Sequence, residues 1–365
     1  MTPPRSLSSR RPGFPSGSGP LLWRHVAALT FALALVFAGA ACGQTPPSTT
    51  PGSAAPATRS VATTTAPASL PLSPSVAPPR SPDAGRFRVA LSDIRLPAAR
   101  SRAVALAFGS TILVCGGLTG AGTTTGSILR IDPRSGDVTA AGALATSVHD
   151  AGGAVLDGTG FVLGGGRLVA GSVVQRVAET GAANAVGHLP AVRADLTAVS
   201  VGGEIVVVGG GTPAHPDGRI LATTDGHVFR IVGTLRVAVR YPAVAAVGGL
   251  VYVIGGSTPA GESRAIQVVD PRTGVVRILG RLAHGLSDAS ALVVGGALLI
   301  AGGRTAGRAQ AALLQLDIAR GTVTTVGRLP YPVSDAAVVV VDGTGYLIGG
   351  EGTGPLASIV TLAPR

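Results

Sequence analysis

The sequence predicts an all-β fold, a six-bladed β-propeller of four-stranded antiparallel blades closed by an N-terminal strand that completes the sixth blade. A short apolar run ends in two glycines six times, with the first glycine at Gly116, Gly164, Gly209, Gly255, Gly302 and Gly349. A leucine recurs in the same register, at Leu96, Leu144, Leu189, Leu235, Leu282 and Leu329. Both sets repeat every 45 to 48 residues. A fixed period of this size is typical of repeated supersecondary units, and the strand-like runs inside each unit indicate propeller blades.

The fourth unit illustrates the four strands that we predict for each blade. They lie near Pro242–Val247, Leu250–Ile254, Ala265–Val269 and Val275–Leu279. Gly248-Gly249 joins the first pair as a two-residue hairpin turn, and the residues from Asp270 to Gly274 join the last pair with a proline and a glycine at turn positions. Each unit is therefore an antiparallel meander.

The sixth unit lacks a fourth strand, because the chain ends soon after a third strand near Ala357–Thr361. A turn at Asp83-Ala84-Gly85 followed by Phe87–Leu91 has the pattern of a last strand and leads to Leu96. We therefore predict that the N-terminal strand completes the blade and removes an open sheet edge. The propeller domain spans residues 83–365.

Residues 1–41 are predicted to be a signal peptide. Scattered arginines precede an uncharged apolar segment, Val26–Ala41, whose 16 residues fall short of the roughly 20 needed to cross a bilayer. Gly39-Ala40-Ala41 lead into Cys42, which resembles the lipobox of bacterial lipoproteins. That resemblance implies lipidation of Cys42 and a location on the outer face of the bacterial cell membrane. Cleavage to a secreted protein and an uncleaved anchor are the alternatives.

Residues 42–82 are rich in Pro, Ser, Thr and Ala, which predicts a semi-extended linker between the lipid anchor and the propeller. The formal net charge of +11 overstates the charge of the propeller, because residues 1–82 hold six arginines and no acid. The propeller carries about +5 without a basic run, so we predict no binding to nucleic acid. A closed propeller is expected to be monomeric.

The strand ending in Gly-Gly, with an aromatic residue three positions before the glycine pair, is similar to the kelch repeat. Phe161, Tyr252 and Tyr346 occupy that position, whereas the tryptophan usual in the last strand is missing from this domain. The resemblance implies a binding surface in most members and an enzyme in a few, among them a copper radical oxidase and a sialic acid epimerase. The oxidase needs a cysteine-linked tyrosine, but Cys115 ends an apolar strand and is expected to be buried.

The candidate site lies at the mouth of the central channel, where the loop before each first strand and the loop after each glycine pair share one face. Six residues after the repeated leucine the six blades carry Arg102, Asp150, Asp195, Tyr241, Asp288 and Asp335. The preceding column adds His149 and Arg240. Converging carboxylates would raise each other's pKa or attract a cation or a polyhydroxylated ligand. Alternatively, each aspartate accepts hydrogen bonds from backbone N–H groups of a neighbouring turn.

We expect a non-catalytic binding or scaffolding module, held outside the cytoplasm, for a cell-envelope carbohydrate or an exported protein. The alternative is a sugar-acting enzyme of the epimerase or lyase type with its site at the channel mouth. The histidines lack metal-ligand spacing, so we expect no metal site and no cofactor.

Overall fold

The computed structural model describes residues 87–365, which form six four-stranded antiparallel sheets and contain no helix, as the predicted propeller requires. The strands of blade 1 are Val104–Phe108, Thr111–Cys115, Ser127–Ile131 and Val138–Ala143, and those of blade 2 are Gly152–Leu156, Thr159–Leu163, Val173–Val177 and Ala183–His188. Blade 3 consists of Ala194–Val201, Glu204–Gly211, Arg219–Thr223 and Arg230–Thr234, and blade 4 of Ala243–Val247, Leu250–Ile254, Ala265–Asp270 and Val275–Arg281. Blade 5 consists of Ser290–Val294, Ala297–Ala301, Ala312–Asp317 and Thr322–Arg328, and blade 6 of Ala337–Val341, Thr344–Ile348, Ser358–Pro364 and Phe87–Arg95. Three two-residue ribbons lie between the blades' second and third strands or before the first: Arg100–Ser101 with Leu118–Thr119, Ser257–Thr258 with Gly261–Glu262, and Arg304–Thr305 with Arg308–Ala309.

The N-terminal strand closes blade 6, as predicted. Phe87 pairs with Pro364 and Arg95 pairs with Ser358, so the first described strand is the outer neighbour of the last one. The predicted turn at Asp83-Ala84-Gly85 lies outside the described residues, as do the signal peptide, Cys42 and the linker. Closing one sheet from both ends of the domain ties the propeller into a circle.

The first strand of each blade is innermost, and the first strands of adjacent blades are in contact around the whole circle. Each first strand starts at the face where the repeated leucine lies, which we call the mouth face, and ends at the opposite face, which we call the rear face. Because the strands alternate in direction, the glycine pairs lie at the mouth face. Phe87 and Pro364 lie at the rear face.

The second strand of each blade is buried on both sides. Its residues pack between two neighbouring blades, so Ile112 to Cys115 and Val251 to Ile254 are almost fully buried. This explains the uninterrupted apolar runs, since a strand covered on both faces does not alternate between apolar and polar residues.

Six hydrophobic clusters, one at each interface between adjacent blades, form the core. The repeated leucines all lie in these clusters and are between 2% and 6% exposed. Each leucine therefore seals the interface between the blade that it ends and the blade that it opens. Dispersing the core over six similar interfaces allows small aliphatic residues to replace the scarce aromatic ones.

The glycine pairs join each blade to the next one. The second glycine donates its N–H to a carbonyl of the following blade in all six cases, for example Gly256 to Leu286 at 2.8 Å, and Gly350 to Arg100 at 2.9 Å closes the circle. Both glycines have positive φ angles, 64° at Gly255 and 94° at Gly256. A side chain at the first glycine would overlap the same carbonyl of the next blade, so only glycine fits.

A second glycine column lies in the outer strands and has no counterpart in our sequence interpretation. It consists of Gly142, Gly187, Gly233, Gly280 and Gly327, each after a one-residue bulge in the strand pairing. In three of the five blades a Cβ at this position would collide with the backbone of a turn glycine in the next blade, as Gly280 would with the carbonyl of Gly321, and at Gly233 it would lie 3.1 Å from the carbonyl oxygen of Gly274. The outer rims of adjacent blades thus touch backbone to backbone. No helix long and apolar enough to cross a membrane occurs in residues 87–365.

Candidate functional site

The residues of the predicted column form a closed ring of backbone hydrogen bonds around the channel mouth. Each N–H donates to the carbonyl of the equivalent residue in the preceding blade over 2.8 to 3.2 Å, and Arg102 completes the circle by donating to Asp335 at 2.9 Å. We call the members the ring residues: Arg102, Asp150, Asp195, Tyr241, Asp288 and Asp335. A device that recurs in every blade is structural in origin.

All six ring residues have left-handed backbone conformations, with φ between 50° and 62°. Aspartate tolerates this conformation, which accounts for its presence in four blades. Arginine and tyrosine do not favour it, and a left-handed residue of this kind costs roughly 1 to 2 kcal/mol. The backbone ring therefore explains the aspartates but leaves the choice of Arg102 and Tyr241 to their side chains.

Arg102 and Tyr241 come from opposite blades and meet over the channel. Arg102 Nη1 donates to the Tyr241 hydroxyl at 3.2 Å, and its guanidinium carbon lies 5.8 Å from the centre of the tyrosine ring. The guanidinium of Arg240 contacts the same ring at 5.1 Å. The tyrosine ring thus contacts two guanidinium groups, and each of these cation–π contacts is favourable.

On the side of blades 2 and 3 the charged groups pair with each other. Asp150 accepts hydrogen bonds from Arg102 at 3.3 Å and from the Tyr241 hydroxyl at 3.4 Å, and His149 Nε2 lies 3.6 Å from its carboxylate. Arg240 Nε donates to Asp195 at 2.5 Å. Both ring aspartates on this side of the mouth therefore pair with arginine side chains.

On the side of blades 5 and 6 each ring aspartate accepts a hydrogen bond from the serine that precedes it. Ser287 donates to Asp288 at 2.5 Å and Ser334 donates to Asp335 at 2.7 Å. Burial, followed by the charge of Asp335, raises the pKa of Asp288, because neighbouring carboxyl groups oppose each other's ionisation.

The structure brings all eight predicted site residues into one connected network and adds two that the sequence interpretation missed. Glu351 accepts from Arg102 Nε at 2.8 Å and from Arg304 Nη2 at 2.8 Å, and Arg304 Nε lies 3.5 Å from Asp335. Both residues directly follow a glycine pair. That position was the available indication, because the loop after each pair lies on the mouth face.

The carboxylates of the mouth receive their hydrogen bonds from side chains, whereas the alternative interpretation expected backbone donors. The backbone N–H groups at these positions donate around the ring instead. The recurring structural element is therefore the left-handed backbone, and the carboxylates are directed to their arginine, tyrosine and serine partners.

Burial changes the protonation of the mouth. It raises the pKa of Asp150 to about 8, although Arg102 acts in the opposite direction, and burial together with Asp335 raises the pKa of Asp288 to about 7. Burial also raises the pKa of Asp335. Burial opposes ionisation of Glu351 too, but the hydrogen bonds from Arg102 and Ser101 and the charges of Arg102 and Arg304 together outweigh it and lower the Glu351 pKa. Near neutral pH the mouth thus contains both protonated and ionised carboxyl groups.

Two further pKa values follow from the same surroundings. Burial and the charge of Arg102 lower the pKa of His149, which keeps the imidazole neutral at pH 7. Burial, followed by the charges of Asp150 and Asp195, raises the pKa of Tyr241, so its hydroxyl remains a donor.

The ring residues surround a cavity of about 240 Å³ whose walls are the starts of the six innermost strands. Deeper in the channel a second space of about 400 Å³ is lined mainly by Ala and Val. The polar groups are therefore concentrated at the mouth, and the channel below offers small aliphatic walls.

The part of the chain that the structure describes contains neither a metal-binding cluster nor an exposed thiol. No group of three or more His, Cys, Asp or Glu side chains in residues 87–365 has an arrangement that could hold a metal ion. Cys115 is 1% exposed, and burial raises its pKa to about 12. The buried cysteine that we predicted is confirmed.

Comparison with known proteins agrees with the architecture. A Kelch motif matches residues 238–282, which run through blade 4. The chain is thus a six-bladed β-propeller in which one blade matches the Kelch motif. A solved structure titled "Structure of YjhT" is similar to the chain with a TM-score of 0.63 and 16% identity, over 73% of this chain and 95% of that chain. At this identity the likeness concerns the fold alone. No curated protein matches the chain.

Proposed function

We propose that this propeller is a binding module whose ligand site is the channel mouth. One observation carries the proposal: Arg102 and Tyr241 occupy a backbone conformation that neither residue favours, and their side chains meet over a polar cavity. Strained residues persist where the surrounding structure holds them in place and often serve a site. A shallow concave region with converging polar groups is the usual place for a ligand.

The ligand that fits this chemistry best is a cell-envelope carbohydrate. The mouth offers ionised carboxylates, guanidinium groups, a tyrosine hydroxyl and protonated aspartates, so it presents donors and acceptors in alternation. Sugar hydroxyl groups need both kinds of partner. An exported protein that inserts a polar side chain into the mouth is the other ligand in this proposal.

The proposed location is outside the cytoplasm, on a tether. The basic segment, the apolar run before Cys42 and the Pro/Ser/Thr/Ala-rich linker support it. We propose that the chain is anchored through lipid on Cys42.

The binding proposal is tested by a thermal-stability screen of the purified full chain with sugars and cell-wall fragments, because a ligand of the native state raises its apparent stability. We expect a stabilising sugar whose effect is lost in Arg102→Asn. Asparagine suits the left-handed backbone, so this substitution removes the guanidinium without further strain. The exposed Arg134 on the rear face provides a matched control, Arg134→Asn. A ligand that stabilises both variants equally would place the site elsewhere.

A sugar-acting enzyme is the second candidate, and the raised pKa values of the neighbouring carboxyl groups Asp288 and Asp335 favour it. Carboxyl groups with pKa values near neutrality are suited to general acid and base catalysis. The test is an NMR assay of sugar isomers and of cleavage products after incubation with the full chain. Turnover that Asp288→Asn abolishes would establish the enzyme, and binding without turnover would leave the binding module.

A further inference from the structure

The charged side chains are divided unequally between the two faces of the propeller. Outside the channel mouth, nine acids lie in or beside the turns of the rear face: Asp132, Asp137, Asp157, Glu179, Glu204, Asp225, Asp270, Asp317 and Asp342. The remaining acids of residues 87–365 outside the channel are Asp93, Asp217 and Glu262, on the side of the mouth face. Asp217 is engaged with Arg193 at 2.5 Å and with Arg219 at 2.7 Å. The mouth face therefore has few acids to balance its outer arginines.

Three consecutive blades end their fourth strand in an exposed arginine at the edge of the mouth face. Arg281 in blade 4, Arg328 in blade 5 and Arg95 in blade 6 directly precede the repeated leucine, where the other blades carry Ala, His and Thr. Two further exposed arginines, Arg264 and Arg308, lie between the second and third strands of blades 4 and 5.

We call these five residues the basic rim. Among residues 87–365 none of them forms an ion pair, and the one side-chain hydrogen bond runs from Arg264 Nε to the Leu282 carbonyl at 2.8 Å. Asp93 and Glu262 are the acids of this sector, and Glu262 accepts a hydrogen bond from the Gly307 N–H. Five arginines against two acids leave the basic rim positively charged.

The most exposed large apolar side chains of residues 87–365 lie on the same face, in the loop after the glycine pair of blade 2. Leu168 is 101% exposed and Val169 is 81% exposed. A tight turn holds them outwards, because Gly166 pairs with Ala170 and the Arg167 N–H donates to the Val169 carbonyl at 3.3 Å. Single exposed apolar residues are common on protein surfaces, but two adjacent ones at the tip of a turn, beside an arginine, form a small apolar projection.

The apolar projection and the basic rim lie on opposite sides of one face, since blade 2 is opposite blade 5 in the circle of six. A bilayer accommodates both features at once. Its headgroup region takes up apolar side chains at the boundary with the acyl chains, and its lipid phosphates attract arginines. A soluble anionic polymer would pair with the arginines but would leave Leu168 and Val169 in water. The combination therefore favours an anionic membrane surface as the partner.

We propose that the mouth face docks on an anionic lipid bilayer, with Leu168 and Val169 inserted among the headgroups and the basic rim against the lipid phosphates. The planar guanidinium group of arginine can donate two parallel hydrogen bonds to one phosphate. This inference goes beyond the proposed function, because it concerns the outer part of the face and not the cavity. Docked in this way, the propeller presents its mouth to the membrane surface, where carbohydrate linked to lipid is within reach.

The test places an environment-sensitive fluorophore on Leu168→Cys in the full chain. The chain also carries Cys42→Ser, so that the introduced thiol is the only one outside the core, since Cys115 is buried. Vesicles contain either equal parts of phosphatidylglycerol and phosphatidylcholine or phosphatidylcholine alone. We expect the emission to shift to shorter wavelength, and to be quenched by nitroxide-labelled lipid, with the anionic vesicles only. The shift should disappear in about 1 M salt, where the Debye length is about 3 Å.

The control label is Val228→Cys. Val228 is 67% exposed and lies in the turn between the third and fourth strands of blade 3, on the rear face. Its emission should not change with either kind of vesicle. Attachment through the apolar segment Val26–Ala41 is common to both labelled proteins and does not by itself bring position 168 into contact with lipid.

Two matched triple variants remove the same amount of charge from the two faces. The rim variant replaces Arg95, Arg281 and Arg328 by Gln. The control variant replaces Arg134, Arg272 and Arg320 by Gln, three rear-face arginines whose side chains are 74%, 85% and 78% exposed. Since each arginine close to an anionic membrane contributes about fivefold in affinity, the rim variant should need on the order of 100-fold more lipid for the half-maximal shift. The control variant should match the unmodified arginines. Circular dichroism and urea unfolding check that both variants are folded.

The docking inference is wrong if the label at position 168 stays in water with anionic vesicles, if it responds equally to neutral vesicles, or if the rim and control variants behave alike. It is also wrong if the basic rim binds inorganic polyphosphate in solution while the label at position 168 does not respond to vesicles, because the partner is then a soluble polyanion. The sugar screen with Arg102→Asn contains no vesicles, so failure of the proposed function is seen separately from failure of docking.

Discussion

Asp288→Asn is predicted to stabilise the protein at pH 8 and to leave its stability unchanged at pH 4. Burial and Asp335 raise the pKa of Asp288 from 3.8 to about 7. Between these two values the folded protein holds a proton that the unfolded chain has lost, so its stability falls as the pH rises. Asparagine resembles the protonated acid, can donate to Asp335 and tolerates the left-handed backbone, and it therefore removes this pH-dependent cost.

The magnitude follows from the difference between the two pKa values, about three pH units. At about 1.4 kcal/mol for each unit, ionisation of Asp288 costs the folded state up to about 4 kcal/mol above pH 7. This figure is an upper limit, because the mouth is open to water and Asp288 is only partly shielded from it. A gain of roughly 2 to 4 kcal/mol at pH 8 is thus expected from the substitution.

The assay is urea unfolding of both proteins at pH 4 and pH 8, followed by circular dichroism. We expect the midpoint of the variant to exceed that of the unmodified protein at pH 8 only. Asp157→Asn, exposed on the rear face, should change the free energy of unfolding by less than about 0.5 kcal/mol at either pH. Equal pH dependence in the unmodified protein and Asp288→Asn, or destabilisation of this variant at pH 8, would refute the reasoning.

The remaining predictions concern the blade interfaces, the mouth and the tether. Gly280→Ala should destabilise the protein by about 1 to 3 kcal/mol, because the added methyl group overlaps the backbone of Gly321, whereas Gly354→Ala, with open space around it, should be neutral in the same urea assay. Tyr241→Phe removes the hydroxyl that joins Arg102 and Asp150 and should cost about 1 kcal/mol, compared with a smaller change for Tyr346→Phe in the second strand of blade 6; equal losses would contradict the role of the bridge. Mass analysis of the mature N-terminus should find a lipid-modified Cys42 that Cys42→Ser abolishes, and an unmodified N-terminus at or before residue 42 would exclude the lipid anchor.

The sequence predicts most of the fold because equivalent positions in all six blades make the same contacts. The glycine pairs and leucines recur since every blade must donate to the carbonyl of the next one and seal the same interface. Closure by Phe87–Arg95 was predictable for the same reason, as a unit missing its last strand requires that strand from elsewhere. The outer column led by Gly142 repeats equally well, but its reason lies in a contact between blades that strand patterns do not display.

The candidate site was predictable only as far as it repeats. Four aspartates at equivalent positions form a visible column because one backbone conformation selects them. Arg304 and Glu351 follow their glycine pairs at a position where the other four blades carry Leu, Gly, Gly and Ser, so no column of charged residues reveals them. The meeting of Arg102 and Tyr241 depends on side chains that reach across the channel from opposite blades. Burial, which sets the pKa values of Asp150 and Asp288, is likewise a property of the assembled ring.

The claim that the mouth binds the ligand is tested most directly by a crystal structure of the full chain with the sugar or cell-wall fragment that stabilises it most. The ligand should lie in the cavity lined by Arg102, Tyr241 and Asp288. A ligand bound on the outer strands or at the rear face, with the mouth unchanged, would contradict the account.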